Sequence, residues 1–193
     1  MSYVPQVLAL AGSTREASFN KRLVKIAAAG AQAAGAEVTR IDLRDLELPL
    51  YDEDLETRAG LPPGARRLKD LMLSHQGFLI SSPEYNSSFS AVLKNAIDWA
   101  SRPVPGEAPL ACFTGKTAAI MSASPGALGG LRGLVHLRAV LGNINVLVIP
   151  DQIAVMSAHT AFLEDGKLKD NALQERVAAL GAKLVKLLTK LHG

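Results

Sequence analysis

The sequence has one cysteine, no apolar run long enough to cross a membrane and no large excess of either charge. A single cysteine, Cys112, excludes an intrachain disulfide and a cysteine-rich metal site. Charged residues interrupt the longest alanine-rich stretch, whereas a membrane helix needs about 20 apolar residues in a row. Lysine and arginine total 21 against 18 aspartates and glutamates, and they are scattered along the chain. We therefore expect neither a membrane nor a nucleic acid as a partner.

The first six residues also lack the basic segment and apolar core of a secretion signal, so we expect a soluble, cytoplasmic protein. A length of 193 residues suits one domain over 1–193, and an apolar fraction of 48% is ample for its core. The four histidines form neither an i, i+4 pair nor a cluster with carboxylates, so no metal site is indicated.

Five short apolar runs rich in β-forming residues alternate with stretches of helical spacing. The predicted strands are Val7–Ala11, Glu37–Ile41, Gly77–Ser81, Thr117–Met121 and Ile144–Ile149. Helices are predicted around Phe19–Gly30, Leu68–Met72, Val92–Ala100, Leu128–Leu141 and Asn171–Leu191. Near-continuous apolar strands are typical of a parallel sheet buried on both faces. The pattern predicts a doubly wound α/β fold with helices on both faces. Residues Asp42–Pro63 are interpreted as a surface excursion.

Ligands of such sheets bind beyond the carboxyl ends of the strands, and three of these ends carry polar or small residues. After the first strand, Ser13, Arg15, Ser18 and Asn20 crowd the start of a helix. Free N–H groups and the helix dipole attract anions there, and hydroxyl and amide donors suit a phosphate monoester. The alternative is that Ser18 is only a helix cap and Arg15 a solvated charge.

The third predicted strand is followed by Pro83, Glu84, Tyr85 and Asn86. Pro83 fixes a turn, while Tyr85 and the main chain of residues 83 to 86 could face a planar heteroaromatic ring. An ordinary loop, with Tyr85 packed on the sheet and Ser88 as a helix cap, fits equally well.

The fourth predicted strand ends in small residues from Ser122 to Gly130, which would let a ligand approach the backbone. A glycine-rich turn without a ligand explains them equally well. Two competing motifs fail on inspection. Gly115-Lys116-Thr117 lacks the first glycine of an ATP-binding loop and precedes a strand, and the surroundings of Ser124 lack the first glycine of a hydrolase nucleophile elbow.

Together, these residues resemble the NADPH-dependent FMN reductase family. The resemblance rests on Gly12-Ser13-x-Arg15-x-x-Ser18-x-Asn20, on Pro83-Glu84-Tyr85-Asn86-x-Ser88 and on Leu93-Lys94-Asn95-Ala96-Ile97-Asp98-Trp99. It implies a flavodoxin-like sheet with strand order 2-1-3-4-5. It also implies that Ser13, Arg15, Ser18 and Asn20 bind the FMN phosphate. By the same resemblance, Pro83, Glu84, Tyr85 and Asn86 hold the flavin ring, and Ser122 lies at its far side.

One departure is the pair Ser90-Ala91, where the family commonly has Pro-Gly, and we expect it to leave the helix start less rigid. The resemblance implies an enzyme that uses NADPH or NADH to reduce FMN and then a quinone, azo compound, flavin or chromate-like oxidant. Alternatives are a flavodoxin-like electron carrier, which a pI near 9.1 does not favour, and a flavin-binding regulatory protein.

The resemblance further implies a homodimer or homotetramer. A physical reason is the helix of residues 92–100, whose two adjacent apolar lines include Trp99 and predict a subunit contact near the flavin. The opposing interpretation places Trp99 wholly inside the monomer core.

Overall fold

A computed structural model describes residues 3–193 and contains a five-stranded parallel sheet with a short antiparallel hairpin beside it. The strands in chain order are β1 (Gln6–Ala11), β2 (Glu37–Asp42), β3 (Gly77–Ser81), β4 (Glu84–Tyr85), β5 (Ser88–Phe89), β6 (Thr117–Ala123) and β7 (Leu147–Val155). The sheet order is β2-β1-β3-β6-β7, and β4 pairs with β5 alone. Leaving the hairpin out, this is the predicted order 2-1-3-4-5, and the fold prediction is confirmed.

Seven helices connect or follow these strands within residues 3–193. They are α1 (Phe19–Ala33), α2 (Glu53–Ala59), α3 (Pro63–Ser74), α4 (Ala91–Ala100), α5 (Leu131–Asn143), α6 (Ala158–Ala161) and α7 (Asn171–His192). No helix in this part of the chain has both the length and the apolar character of a membrane span.

The core has two layers, one on each face of the sheet. Helices α1 and α7 bury their apolar sides on one face, and α3, α4 and α5 cover the other. Helices α1 and α7 approach so closely that a Cβ atom on Gly30 would lie 2.0 Å from the Ala178 carbonyl oxygen, and one on Gly181 would lie 2.0 Å from that of Ala27. Glycine is required at these crossings because any side chain would separate the helices.

Two predicted elements, the fifth strand and helix α5, have wrong boundaries. The fifth strand begins at Leu147 rather than Ile144, because α5 continues to Asn143 and Asn145 adopts a left-handed conformation with φ of 69°. It also continues through Pro150 at the sheet edge, where a missing N–H is tolerated. Helix α5 begins at Leu131, after left-handed Gly129 and Gly130, rather than near Leu128.

The excursion between β2 and α3 is more ordered than a surface loop. A 3₁₀ turn at Leu43–Leu46 buries both of its leucines, and the exposed helix α2 is capped by Asp52. The Pro49 carbonyl then accepts hydrogen bonds of 2.8 Å from Trp99 Nε1 and from Asn95 Nδ2, both on α4. The segment therefore packs along α4.

Candidate functional site

The candidate site lies where the strand order reverses, at the carboxyl ends of β1 and β3. The chain passes from β1 out to β2 and then crosses back to β3, which leaves a crevice between the loops that follow β1 and β3. We call residues 12–18 the first loop, residues 82–90 the second loop and residues 124–130 the third loop. Backbone hydrogen bonds join the bases of these loops, from Gly12 to Ser81 at 2.8 Å and from Ser82 to Met121 at 3.0 Å.

Asn20 ties α1 to two strand ends. Its Oδ1 accepts from Ser81 Oγ at 2.8 Å and from the Ala123 amide at 2.9 Å, and its Nδ2 donates to the Ala123 carbonyl at 2.9 Å. The side chain is buried, and these bonds leave one amide N–H for a ligand. Asn20 thus holds the start of α1 against the sheet, and its predicted bond to phosphate stays a prediction.

The first loop offers unpaired donors at the start of α1. The backbone N–H groups of Thr14, Glu16 and Ala17 donate to no protein group within residues 3–193. Arg15 is exposed, and its guanidinium forms neither an ion pair nor a hydrogen bond with that part of the chain. Free amides at a helix N-terminus beside an unpaired arginine form a suitable site for a phosphate.

Both serines of the first loop are buried and make local hydrogen bonds. Ser18 caps α1, since its Oγ accepts from the Lys21 amide at 3.4 Å. The cap that the alternative interpretation assigned to Ser18 is therefore confirmed, and the predicted bond of Ser18 to the phosphate stays a prediction. The Ser13 Oγ accepts from the Arg15 amide at 3.4 Å. These contacts are long, and both hydroxyls retain a proton to donate to a ligand.

Gly12 and Ser90 bring the first and second loops into contact. A Cβ atom on Gly12 would lie 2.9 Å from Ser90 Oγ and 2.9 Å from Leu93 Cβ, so only glycine fits there. Ser90 donates to the Gly12 carbonyl at 2.6 Å, accepts from the Leu93 amide at 3.2 Å as the cap of α4, and donates its own amide to Ser82 Oγ at 3.3 Å. These bonds tie the start of α4 to the first loop, and the expectation that Ser90-Ala91 leaves this helix start less rigid stays a prediction. Ser90, rather than Ser88, is the cap.

The second loop folds into a hairpin that the sequence analysis missed. Strands β4 and β5 are joined by Asn86 and Ser87, both left-handed with φ of 50° and 66°. Two consecutive left-handed residues are the mark of a type I′ hairpin turn. Tyr85 is 55% exposed on this hairpin, whereas Pro83 is buried at its base. Tyr85 is thus not packed on the sheet, and its ring is available to a planar ligand.

Glu84 anchors the hairpin to α5. Its Oε1 accepts from Arg132 Nε at 2.9 Å and Nη2 at 2.7 Å, and its Oε2 accepts from the Gly133 amide at 3.1 Å. Burial alone would raise the pKa of this carboxyl, but these hydrogen bonds outweigh it and the pKa lies below its ordinary value. The carboxylate therefore occupies the N-terminus of α5, and only the Glu84 main chain remains for the predicted contact with the ring.

The third loop covers Ser122. The Ser122 side chain is fully buried, and its Oγ has no hydrogen-bond partner in residues 3–193. A Cβ atom on Gly130 would lie 1.8 Å from this oxygen, which is why the left-handed Gly130 is required directly above it. The predicted contact of Ser122 with the far side of the ring stays a prediction, since Gly130 closes the direct path to its hydroxyl.

Trp99 lies inside the monomer core, as the opposing interpretation held. Its side chain is fully buried against Tyr51, whose ring centroid is 5.0 Å away at an interplanar angle of 78°. The argument that α4 has surplus apolar surface is wrong, because the segment after β2 covers it. An open groove of about 680 Å³ instead lies between the hairpin and α5, lined by Tyr85, Asn86, Ser88, Phe89, Ala91, Lys94, His136, Ala139 and Val140.

The arrangement of these loops fits FMN. The first loop supplies anion donors, and the hydrogen bond from Ser90 to the Gly12 carbonyl joins it to the second loop, whose hairpin exposes an aromatic ring. Within residues 3–193 no group of three or more histidine, cysteine, aspartate or glutamate side chains is placed to bind a metal.

Comparison with known proteins adds three findings. The family model of NADPH-dependent FMN reductases matches residues 5–160 of the chain. An NAD(P)H-dependent FMN reductase of Pseudomonas aeruginosa is 36% identical over 173 residues, which cover 89% of each chain. A quinone reductase of Escherichia coli is 39% identical over 153 residues, which cover 77% of this chain and 76% of the relative.

Solved structures agree with the observed architecture. The flavoenzyme NAD(P)H:(acceptor) oxidoreductase FerB from Paracoccus denitrificans superposes with a TM-score of 0.80 at 29% identity. The match covers 97% of this chain and 98% of that enzyme.

Proposed function

Because the chain belongs to the NADPH-dependent FMN reductase family, we propose that it passes electrons from NAD(P)H through FMN to a small quinone-type acceptor. As a member of this family the protein is an oxidoreductase with FMN as cofactor and NAD(P)H as reductant. The observation that supports the finer assignment is the exposed Tyr85 on a hairpin beside an open groove, in a loop that Ser90 joins to the first loop at Gly12.

The first and second loops would bind different parts of FMN. Arg15, Ser13 and the free amides of Thr14, Glu16 and Ala17 would hold the phosphate. Pro83, Tyr85 and Asn86 would hold the ring with the main chain of Glu84, and Ser122 lies beneath the third loop. Bound FMN supplies the exchange of two electrons between nicotinamide and acceptor. No protein side chain is therefore required as a catalytic acid or base.

A flat aromatic acceptor is the substrate class that fits the groove. Its walls include Phe89 and Val140, which offer apolar contact, while Lys94 and His136 at the surface can meet a polar oxygen. Quinones combine an apolar ring with such oxygens. The quinone reductase from Escherichia coli acts on this class by its name, which supports the same choice here.

Steady-state oxidation of NADPH and NADH with a soluble benzoquinone tests the proposal against its rivals. We expect turnover that depends on FMN and on both substrates, and Val140→Trp, which fills the groove, should raise the KM for the quinone more than that for NADPH. An electron carrier or a regulatory flavoprotein would bind FMN yet show no steady-state consumption of NAD(P)H.

We also propose a homodimer or a dimer of dimers, with the contact on α5 instead of on Trp99. Leu131, Val135 and Ala139 form an i, i+4 line, the first two are 43% and 58% exposed, and Ala139 lines the groove. A second copy seated there would cover the apolar line and wall the groove. Light scattering should give an oligomeric mass for the parent and a monomeric mass for Val135→Glu.

The proposed compartment is the cytoplasm, where NAD(P)H is available as reductant.

A further inference from the structure

Arg44, in the 3₁₀ turn after β2, contacts the first loop at two points. Its Nη1 donates to Glu16 Oε1 at 2.8 Å, and its Nη2 donates to the Thr14 carbonyl oxygen. The first loop is part of the proposed FMN site, whereas Arg44 lies outside every motif that carried the family resemblance. The first loop is therefore held in place by the turn that follows β2, a part of the chain that contains no predicted FMN ligand.

Asp42 connects the same turn to the start of α1. Its Oδ1 accepts from the Arg44 amide at 3.0 Å, and its Oδ2 pairs with Lys21 Nζ. Lys21 is the residue whose amide bonds to the cap Ser18. The end of β2 and the turn after it therefore contact the first loop through Arg44, at residues 14 and 16, and the start of α1 through Asp42, at Lys21.

The charges explain why a phosphate-binding loop needs this support. Glu16 carries a negative charge between the loop amides and is 86% exposed, so unpaired it would repel a phosphate nearby. Pairing with Arg44 offsets this charge and directs the carboxylate toward β2. The planar guanidinium can make both contacts at once, which fixes the orientation of the Thr14 peptide as well.

We propose that Arg44 is a positioning residue for FMN, which orients the Thr14–Ala17 amides toward the phosphate and keeps the Glu16 carboxylate away from it. This inference rests on the proposed function, because it takes the first loop as the phosphate site. It assigns Arg44 a role in recognising the phosphate and none in contacting the flavin ring.

The test compares two ligands that differ only in the phosphate. Protein freed of flavin is titrated with FMN and with riboflavin, with fluorescence quenching as the readout, for the parent, Arg44→Ala, Glu16→Ala, the double variant and Arg40→Ala. Arg40 is an exposed arginine on β2 and serves as the matched control for lost charge. Should Arg44→Ala fail to fold, Arg44→Lys keeps the charge but loses the two-point contact.

We expect Arg44→Ala to raise the Kd for FMN about tenfold and to leave that for riboflavin within about twofold. Adding Glu16→Ala should recover part of the loss, because the unpaired carboxylate is then absent. Arg40→Ala should change neither Kd by more than about twofold.

Three outcomes would overturn the inference. Loss of affinity for FMN and riboflavin in equal proportion would assign Arg44 to the general fold. Unchanged affinity of Arg44→Ala for both ligands would remove Arg44 alone from the site and leave the phosphate site standing. Equal affinities of the parent protein for both ligands would reject the phosphate site itself, and the inference with it.

Discussion

Replacing Ser90 with alanine should destabilise the protein substantially, because one hydroxyl serves two loops. The change removes the cap of α4, which costs about 1 kcal/mol. It also leaves the buried Gly12 carbonyl without its 2.6 Å partner, and an unsatisfied buried acceptor costs about 1–3 kcal/mol. Since Ser90 is only 2% exposed, water cannot replace the lost contact readily. We expect a loss of about 2–4 kcal/mol in the free energy of unfolding.

Urea unfolding measures this loss directly. With a slope of about 2 kcal/mol per molar urea, the midpoint should fall by about 1–2 M. Ser88→Ala is the matched control, since Ser88 lies two residues away on β5 and its hydroxyl makes no hydrogen bond within residues 3–193. A Ser90→Ala midpoint no lower than that of Ser88→Ala would refute the assignment of Ser90 as the joint between the first two loops.

Three further variants test other parts of the site. Tyr85→Ala should keep the melting temperature of the parent, because the side chain is 55% exposed. It should alter the flavin spectrum and slow turnover per bound FMN. A lower melting temperature with an unchanged spectrum and rate would contradict this. Arg15→Ala should weaken FMN binding by about 1–3 kcal/mol in a fluorescence titration, while Lys25→Ala, an exposed cation further along α1, should not. The pKa of Glu84 is lower in the folded protein than in the unfolded chain. The ionised carboxylate therefore stabilises the fold fully when the pH is above its pKa in the unfolded chain, and this stabilisation is lost as the pH falls through its pKa in the folded protein. Glu84→Gln should therefore unfold at lower urea than the parent at pH 7, with the difference shrinking below about pH 4, and a pH-independent difference would argue against the anchor.

The fold could be predicted from the sequence because the three central strands are apolar on both faces and the strands alternate with helices. The third strand and the last helix were predicted within a residue or so of their ends, since Gly77 and Asp170 mark clear boundaries. The fifth strand was misplaced because hydrophobicity alone cannot separate the end of α5 from the start of β7. Only the left-handed Asn145 divides them. The single-domain organisation stays a prediction.

The site was predictable as a set of loops but not as a set of contacts. Strand ends carrying serines, an arginine and a tyrosine pointed to the crevice, since chain topology brings such ends together. The partners of Glu84 and Ser90 lie on elements distant in sequence, and no local pattern identifies them. A serine three residues before an apolar helical line is the one signal that could have identified Ser90 as the cap. Trp99 was misjudged because the residues that cover it come from the segment after β2.

The most direct test of the proposed function is the visible spectrum of the purified protein before and after NADPH is added in the absence of oxygen. The proposal predicts flavin absorption at about 450 nm, with one FMN per chain, which bleaches on addition of NADPH and returns when a quinone follows. A protein that shows no flavin band and takes up no FMN on reconstitution, or whose bound FMN stays oxidised with excess NADPH, would contradict it.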